Sequence, residues 1–392
     1  MTRCSASCAL FALFLGGALL AGWGPACARD ATPYFPPPGD GWAVRAPAEA
    51  GMDAARLAEA VAYAQANEVL WPRDLRAQIE KDTAKEPYPE ILGLVKPRGG
   101  QNGLVLKGGR IVAEWGDTRR VDLSFSVAKS YLSVVAGLAY DEGLLGDPDQ
   151  PVGARVRDGG YDSPHNAPIT WTMHLQHTSE WQGTLWDKPD VADRRRGYGR
   201  ALQKPGTFWE YNDVRVNRLA LSLLRLYERP LPEVLKARIM DPIGASSEWV
   251  WHGYLNSFVE VGGRRIQSVS GGSHWGGGFW ASTRDHARFG YLMLREGHWD
   301  GRQLLAAEWV RRMTTPSGLT SFQGYLWWLA SPANPALPNL PAGSFAALGS
   351  GGNMIFVDPS RDLVAVVRWL DIPKLDGFVQ RLTAAVQDTA SR

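Results

Sequence analysis

The stretch SVAKSYLSVVAGLAY, residues 126–140, decides how this chain is read. Val127, Tyr131, Leu132, Val134, Val135, Leu138 and Tyr140 surround the whole helical axis, so the helix they predict is a buried one. It stops at Gly143, ahead of Asp147-Pro148. One lysine, Lys129, stands in this apolar run, three residues after Ser126. A lone buried lysine needs a partner or a function. Side chains three apart share a helix face, so Ser126 and Lys129 can meet. Burial and the positive helix end both disfavour an ammonium, which predicts a lowered Lys129 pKa and an amine able to take the proton of Ser126. The same helix end offers backbone N–H groups to an oxyanion. The competing reading is a Lys129 that reaches out to solvent, with Ser126 as a plain cap.

On either side of this helix the pattern changes. Upstream, Asp53 is a predicted N-cap for a helix running to Asn67 with Leu57, Val61 and Ala64 on one stripe. Residues 102–115 read as a hairpin, Leu104-Val105-Leu106 and Ile111-Val112-Ala113 around the turn Lys107-Gly108-Gly109-Arg110. Downstream, helices are expected over 217–227 and 231–240. Strands are expected over 324–330, 354–357 and 363–369, the last two joined at Asp358-Pro359-Ser360-Arg361-Asp362, and a final helix over 375–389. This order predicts an α/β (α+β) architecture. One α/β lobe, residues 29–145 and 268–392, is built from both ends of the chain, and a mainly helical lobe, residues 146–267, is inserted between them. The active site is expected between the lobes.

With 392 residues, 45% of them hydrophobic, the chain is long enough for one or two ordinary cores. Its formal charge of +2 gives no reason to expect nucleic acid as a partner. The 17 Trp fill cores and can also line clefts; Trp181, Trp186, Trp209 and Trp275 are candidates for the latter. Arg3, the apolar run 9–20 and Ala26-Cys27-Ala28 read as a signal peptide over residues 1–28, which places the protein in the periplasm or outside the cell. The run is shorter than the ~20 residues of a membrane span. A lipid anchor on Cys27 is the alternative, but no Leu stands three residues before it. Cys4, Cys8 and Cys27 all lie in this leader, so the mature chain has no cysteine for a disulfide, a nucleophile or a metal.

Ser126-Val127-Ala128-Lys129, the segment Leu175-Gln176-His177-Thr178-Ser179 and the segment Phe208-Trp209-Glu210-Tyr211-Asn212-Asp213 together resemble the serine β-lactamase and penicillin-binding-protein superfamily. Gly276-Gly277-Gly278-Phe279, Ser282-Thr283-Arg284-Asp285 and Phe356-Val357-Asp358-Pro359 are similar to its class C branch, with the esterase and 6-aminohexanoate-dimer hydrolase relatives. The resemblance runs in one order along nearly all of the mature chain. It implies an antiparallel sheet flanked by helices, an acyl-enzyme on Ser126, and Tyr211 sharing a proton with Lys129 and delivering it to the leaving group. Asp213 stands where the family usually has Asn; a carboxylate there can pair with Lys129 and raise its pKa. The family's Lys-Thr-Gly or His-Thr-Gly is missing. Its place is taken by Ala347-Leu348-Gly349-Ser350-Gly351-Gly352-Asn353, where Gly349 suits close backbone approach and Ser350 N–H is the candidate second oxyanion donor.

Other chemistries lack their patterns. There is no Gly-x-Ser-x-Gly, no His-Glu-x-x-His and no Gly-rich phosphate loop. His174 and His177 read as surface or satisfied core residues rather than metal ligands, and Arg194-Arg195-Arg196 as a solvated loop. The sequence therefore points to an exported serine hydrolase with no cofactor and no metal, acting on a small ester or linear amide. Ser126, Lys129 and Tyr211 are its catalytic residues, and Ser350, Gly349, Asp213 and Trp181 line or hold the substrate. The alternatives are a class C-type β-lactamase or DD-peptidase, and an inactive binding protein on the same fold.

Overall fold

A computed structural model describes residues 33–39 and 41–387. The leader expected over 1–28, with Cys27, lies outside the described residues. The central feature is a six-stranded antiparallel sheet in the order Trp328–Leu329, Phe345–Gly349, Asn353–Asp358, Leu363–Arg368, Asn102–Lys107, Arg110–Trp115. Strands from both ends of the chain meet at its centre, where Asn102 pairs with Arg368 and Lys107 with Leu363.

Alternation along these strands builds two apolar layers, because successive side chains point to opposite faces. Leu104, Leu106, Ile355, Val357, Val364 and Val366 face the helices Val127–Asp141 and Thr283–Leu294, and Asp213–Tyr227 continues the same core behind Val127–Asp141. Val105, Met354, Phe356, Ala365 and Val367 pack on the other face with Ala54–Ala66 and Ile372–Ala384. As predicted, Asp53 caps the first helix, its carboxylate accepting from Ala55 and Arg56 N–H. Ser282 and Asp285 form a capping box on Thr283–Leu294, which is the physical content of that family-like segment.

A smaller sheet of Asp122–Leu123, Gly278–Ala281 and Val250–His252 lies beside the first. Buried Arg368 ties the two together. Its guanidinium donates to Asn353 Oδ1 at 2.6 Å and to the carbonyls of Ala281 and Leu123, each at 2.9 Å. Leu123 ends the strand that leads directly into Ser126, so this arginine fixes the approach to the site.

Several boundaries differ from those expected. The helix expected from 217 starts at Asp213, because Asn212 caps it by accepting from Arg215 N–H. The run 231–240 is α-helical only to Leu235 and then opens into a π turn. Of the strand expected over 324–330, only Trp328–Leu329 forms; Leu326, at φ 60°, breaks the extended path. The last helix begins three residues early, at Ile372, with Pro373 in its first turn, and ends at Ala384. The helices Leu75–Thr83 and Ala307–Met313 were not anticipated, and the strand implied at 347–353 lies earlier, at Phe345–Gly349. Among the described residues, no helix is long and apolar enough to cross a membrane.

Candidate active site

Ser126 immediately precedes the helix Val127–Asp141, every residue of which is buried from Val127 to Ala139. The turn that delivers it is strained: Phe125, a bulky residue, sits at φ 47°, a conformation that costs about 1–3 kcal/mol. Packing holds it there, since its ring is buried edge-on to Trp71 at 5.8 Å and to Trp369 at 6.4 Å. The Ser126 hydroxyl caps nothing on its own helix. Instead it accepts a hydrogen bond from Lys129 Nζ at 2.9 Å. Lys129 is 2% exposed, so it does not reach solvent, and the plain-cap reading fails on both counts.

Lys129 also donates to Asp213 Oδ1 at 2.7 Å, a buried ion pair. This corrects the expected lowered pKa. Burial does push the lysine down, but the Asp213 charge outweighs it and holds Lys129 above its usual value. Burial pushes Asp213 up, and the Lys129 ammonium, with His274 and Arg195 nearby, pulls it below the usual carboxylate range. The resting pair is ammonium and carboxylate. Gly272 backs it so closely that a Cβ there would lie 2.0 Å from Asp213 Oδ2 and 2.1 Å from Lys129 Nζ.

Tyr211 and Asp213 flank the N-cap Asn212, whose amide donates to the carbonyls of Asp190 and Asp193. Asp213 N–H donates to Asp193 Oδ2 at 2.7 Å. The same Asp193 receives Arg195 through Nε at 2.8 Å and Nη2 at 3.2 Å. Lys129 Nζ and the Arg195 guanidinium both lie over the Tyr211 ring, 4.7 and 4.8 Å from its centroid. Glu210 N–H donates to the His177 carbonyl at 2.9 Å, so the Leu175–Ser179 segment braces the chain beside Tyr211. The His177 ring packs 4.6 Å from that of Tyr211, and burial with the Lys129 charge lowers its pKa to about 3. His174 is buried against Tyr161, its Nε2 2.9 Å from the phenol, and burial also brings it to about 3. Among the described residues, no group of three His, Cys, Asp or Glu side chains is placed to hold a metal ion.

Ser126, Tyr211, Asp213, Gly349 and Ser350 open on one cavity of about 450 Å³. Gly349 is required by close approach: a Cβ there would lie 2.2 Å from the Ser124 carbonyl oxygen and 3.2 Å from Ser126 N. Among the described residues, neither Ser126 N–H nor Ser350 N–H has a protein acceptor. Trp209 lines the cavity, but Trp181, a predicted site residue, does not. Trp181 is buried elsewhere, its indole N–H donating to the Gly160 carbonyl at 2.8 Å. Trp275 is likewise fully buried, and Trp186 packs on Tyr254.

Trp71, Arg195, His274 and Trp328 also line the wall and were not foreseen. The Arg194-Arg195-Arg196 run is a loop whose Arg195 and Arg196 are exposed, as expected, but which ion pairs anchor. Arg194 is buried on Asp190 at 2.6 Å, and Arg195 is held by Asp193. Acids two and four residues upstream were the available signal.

A sequence model described as Beta-lactamase matches residues 98–371. An uncharacterized protein of Alkalihalophilus pseudofirmus is 25% identical over 275 residues, 64% of this chain and 74% of that protein. A solved structure from Bacillus anthracis described as a 6-aminohexanoate-dimer hydrolase has a TM-score of 0.54 at 16% identity, covering 72% of this chain and 77% of that one. A family VIII carboxylesterase has a TM-score of 0.54 at 15% identity, covering 81% and 98%. These two structures share the fold. The match over residues 98–371 takes in both the Ser126 helix and the strand that closes against it, and on that ground the chain belongs to the β-lactamase family, as a serine hydrolase.

Proposed function

We propose that the protein is an exported hydrolase that cleaves short acyl esters or linear amides through an acyl-enzyme on Ser126. The observation that carries this reading is the buried chain Asp213–Lys129–Ser126, ending in a hydroxyl that opens on the cavity. Export rests on the leader-like residues 1–28.

In this reading Ser126 Oγ attacks the carbonyl carbon and its proton passes to the Tyr211 oxygen as the Tyr211 phenol releases its own. Lys129 stays an ammonium and steadies the developing alkoxide, because its pairing with Asp213 leaves it no capacity to accept a proton. The N–H groups of Ser126 and Ser350 receive the oxyanion. That phenol proton goes to the leaving oxygen or nitrogen as its bond breaks, so Tyr211 is neutral before and after the step. Water reverses the sequence: as it attacks the ester carbon its proton passes to the Tyr211 oxygen, while the Tyr211 phenol proton returns to Ser126 Oγ as the acid departs. The strand Phe345–Gly349 carries no Lys or His beside Ser350 to hold a β-lactam carboxylate, which favours ester and linear amide over β-lactam.

The test is hydrolysis of 4-nitrophenyl butyrate, a linear amide and nitrocefin, with Ser126→Ala and Lys129→Ala alongside. Turnover of ester or amide, lost in both variants, with nitrocefin left intact, is expected, together with a butyryl adduct on Ser126 by mass spectrometry. Equal activity in Ser126→Ala removes this mechanism. Rapid nitrocefin turnover would reassign the substrate to β-lactams, and a protein that never labels with a fluorophosphonate would be a binding module.

A further inference from the structure

The proposed reaction leaves several cations around the cavity without a task. Arg195, Arg196 and His274 all line it. His274 is already paired, its Nε2 2.8 Å from both Glu86 carboxylate oxygens, and Arg195 is paired with Asp193. Arg196 differs. Its backbone N–H donates to Glu210 Oε1 at 3.1 Å, but no carboxylate among the described residues pairs with its guanidinium. That group lies against the faces of Phe208 and Trp209, 5.6 and 5.3 Å from their centroids.

The carboxylates lining the cavity do not neutralise it. Asp213 is taken by Lys129, and Glu210 by Arg200 and Arg215. Asp82 belongs to the helix Leu75–Thr83 and accepts from Gln78. An anion is therefore drawn toward Arg196 and away from Asp82. The turn that carries Arg196 is also fixed in place. Arg194 bridges Asp190 and the Arg200 carbonyl, and Arg200 is held by both oxygens of Glu180. A planar guanidinium on a fixed turn, backed by aromatic faces, is suited to a carboxylate.

We propose that Arg196, with Arg195 beside it, forms an anion subsite that recognises a carboxylate carried on the leaving group of the ester or amide. The placement rests on the reading of Tyr211 as the group that protonates the leaving atom. Arg195 lies over the Tyr211 ring, and Arg196 over Trp209, two residues away.

The test compares 3-carboxyphenyl butyrate with its neutral isostere 3-carbamoylphenyl butyrate. The unsubstituted protein should prefer the carboxylate. In Arg196→Gln, the ratio of kcat/KM values, carboxylate over carboxamide, should fall about tenfold or more, as for loss of one charge-assisted bond. Arg196→Lys should fall between. Exposed Arg302→Gln, remote from the cavity, should leave the ratio where it was. A ratio unchanged in Arg196→Gln, or lowered equally by Arg302→Gln, overturns the subsite. The nucleophile is judged separately, by loss of carboxamide-ester turnover in Ser126→Ala. Binding covers the case of no turnover. Titrated into Ser126→Ala and followed by tryptophan fluorescence, the carboxylate ester should bind more weakly when Arg196→Gln is added. Equal binding in the two proteins overturns the proposal.

Discussion

Asp213 Oδ1 lies closer to Lys129 Nζ, at 2.7 Å, than does the Ser126 hydroxyl, at 2.9 Å, and both ends of that pair are buried. Folding therefore lowers the Asp213 pKa below 3.8 and raises that of Lys129 above 10.5. The signs set a window. The Asp213 contribution is present above 3.8 and is lost as pH falls through its folded value. The Lys129 contribution is present below 10.5 and is lost as pH rises through its folded value. Between those limits the pair is intact and its charge state is constant.

Asp213→Asn removes the charge that holds the proton on Lys129 and leaves burial opposed by Tyr211 alone. The lysine should then lose its proton at lower pH than in the unsubstituted protein. Urea unfolding should show a loss of about 3–5 kcal/mol, the cost of stranding one partner of a buried pair. At pH 8, kcat/KM for 4-nitrophenyl butyrate should fall by about tenfold or more and recover as pH is lowered and the ammonium returns. The unsubstituted protein should show no such recovery. A kcat above that of the unsubstituted protein at pH 8 would mean that Lys129 works as a free amine, with Asp213 restraining it.

Tyr211→Phe keeps the ring in place, stacked 6.0 Å from Trp328 and 4.6 Å from His177, and removes only the hydroxyl. If that hydroxyl protonates the leaving atom, the loss should grow as the leaving group worsens. We expect about a hundredfold fall in kcat for ethyl butyrate or a linear amide and a much smaller one for 4-nitrophenyl butyrate. An equal fall for both would leave Tyr211 a packing residue.

The sequence made Ser126 and Lys129 legible because one lysine in an otherwise apolar helix contradicts its surroundings. The sheet halves were legible as apolar runs that turn where expected, at 107–110 and 358–362. The charge state of Lys129 was not, because it depends on Asp213, 84 residues away, at 2.7 Å. Trp181 misled because its indole N–H finds the Gly160 carbonyl rather than the cavity. The glycine-rich stretch 347–353 concealed where the strand Phe345–Gly349 begins, yet its Gly349 is what lets the strand press against the Ser126 turn.

Two glycines should be far more costly to substitute than their size suggests. At Gly349 the obstructing atom is the Ser124 carbonyl, and backbone cannot yield. At Gly272 the obstruction is the ion pair itself. Gly349→Ala and Gly272→Ala should each lower kcat/KM about a hundredfold through displacement of Ser126 or Lys129. Stability should fall by only about 1–3 kcal/mol. Gly318, with nothing near its Cβ position, is the control, and Gly318→Ala should change neither quantity. Activity within twofold in Gly272→Ala would show that the pair can shift without loss.

Glu180 governs the acid limit of the segment that carries Arg195 and Tyr211. It is fully buried and receives both Nη atoms of Arg200 at 2.7 Å, Nη1 of Arg215, and Gln203 N–H at 3.0 Å. Burial alone would raise its pKa, but Arg200 and Arg215 outweigh it and bring it from 4.5 to about 2. Its stabilisation is therefore complete above 4.5 and is lost as pH falls toward about 2. Arg200 also grips Glu210, the neighbour of Tyr211, so acid should loosen residues 180–211 before the sheet. Hydrogen exchange between pH 5 and 3 should show protection lost there first. Glu180→Gln leaves Arg215 buried beside a neutral amide. It should cost about 3–5 kcal/mol at pH 7 and flatten the acid dependence of unfolding. An acid profile in Glu180→Gln with the slope of the unsubstituted protein would place the sensitive carboxylate elsewhere, with Asp213 the next to test.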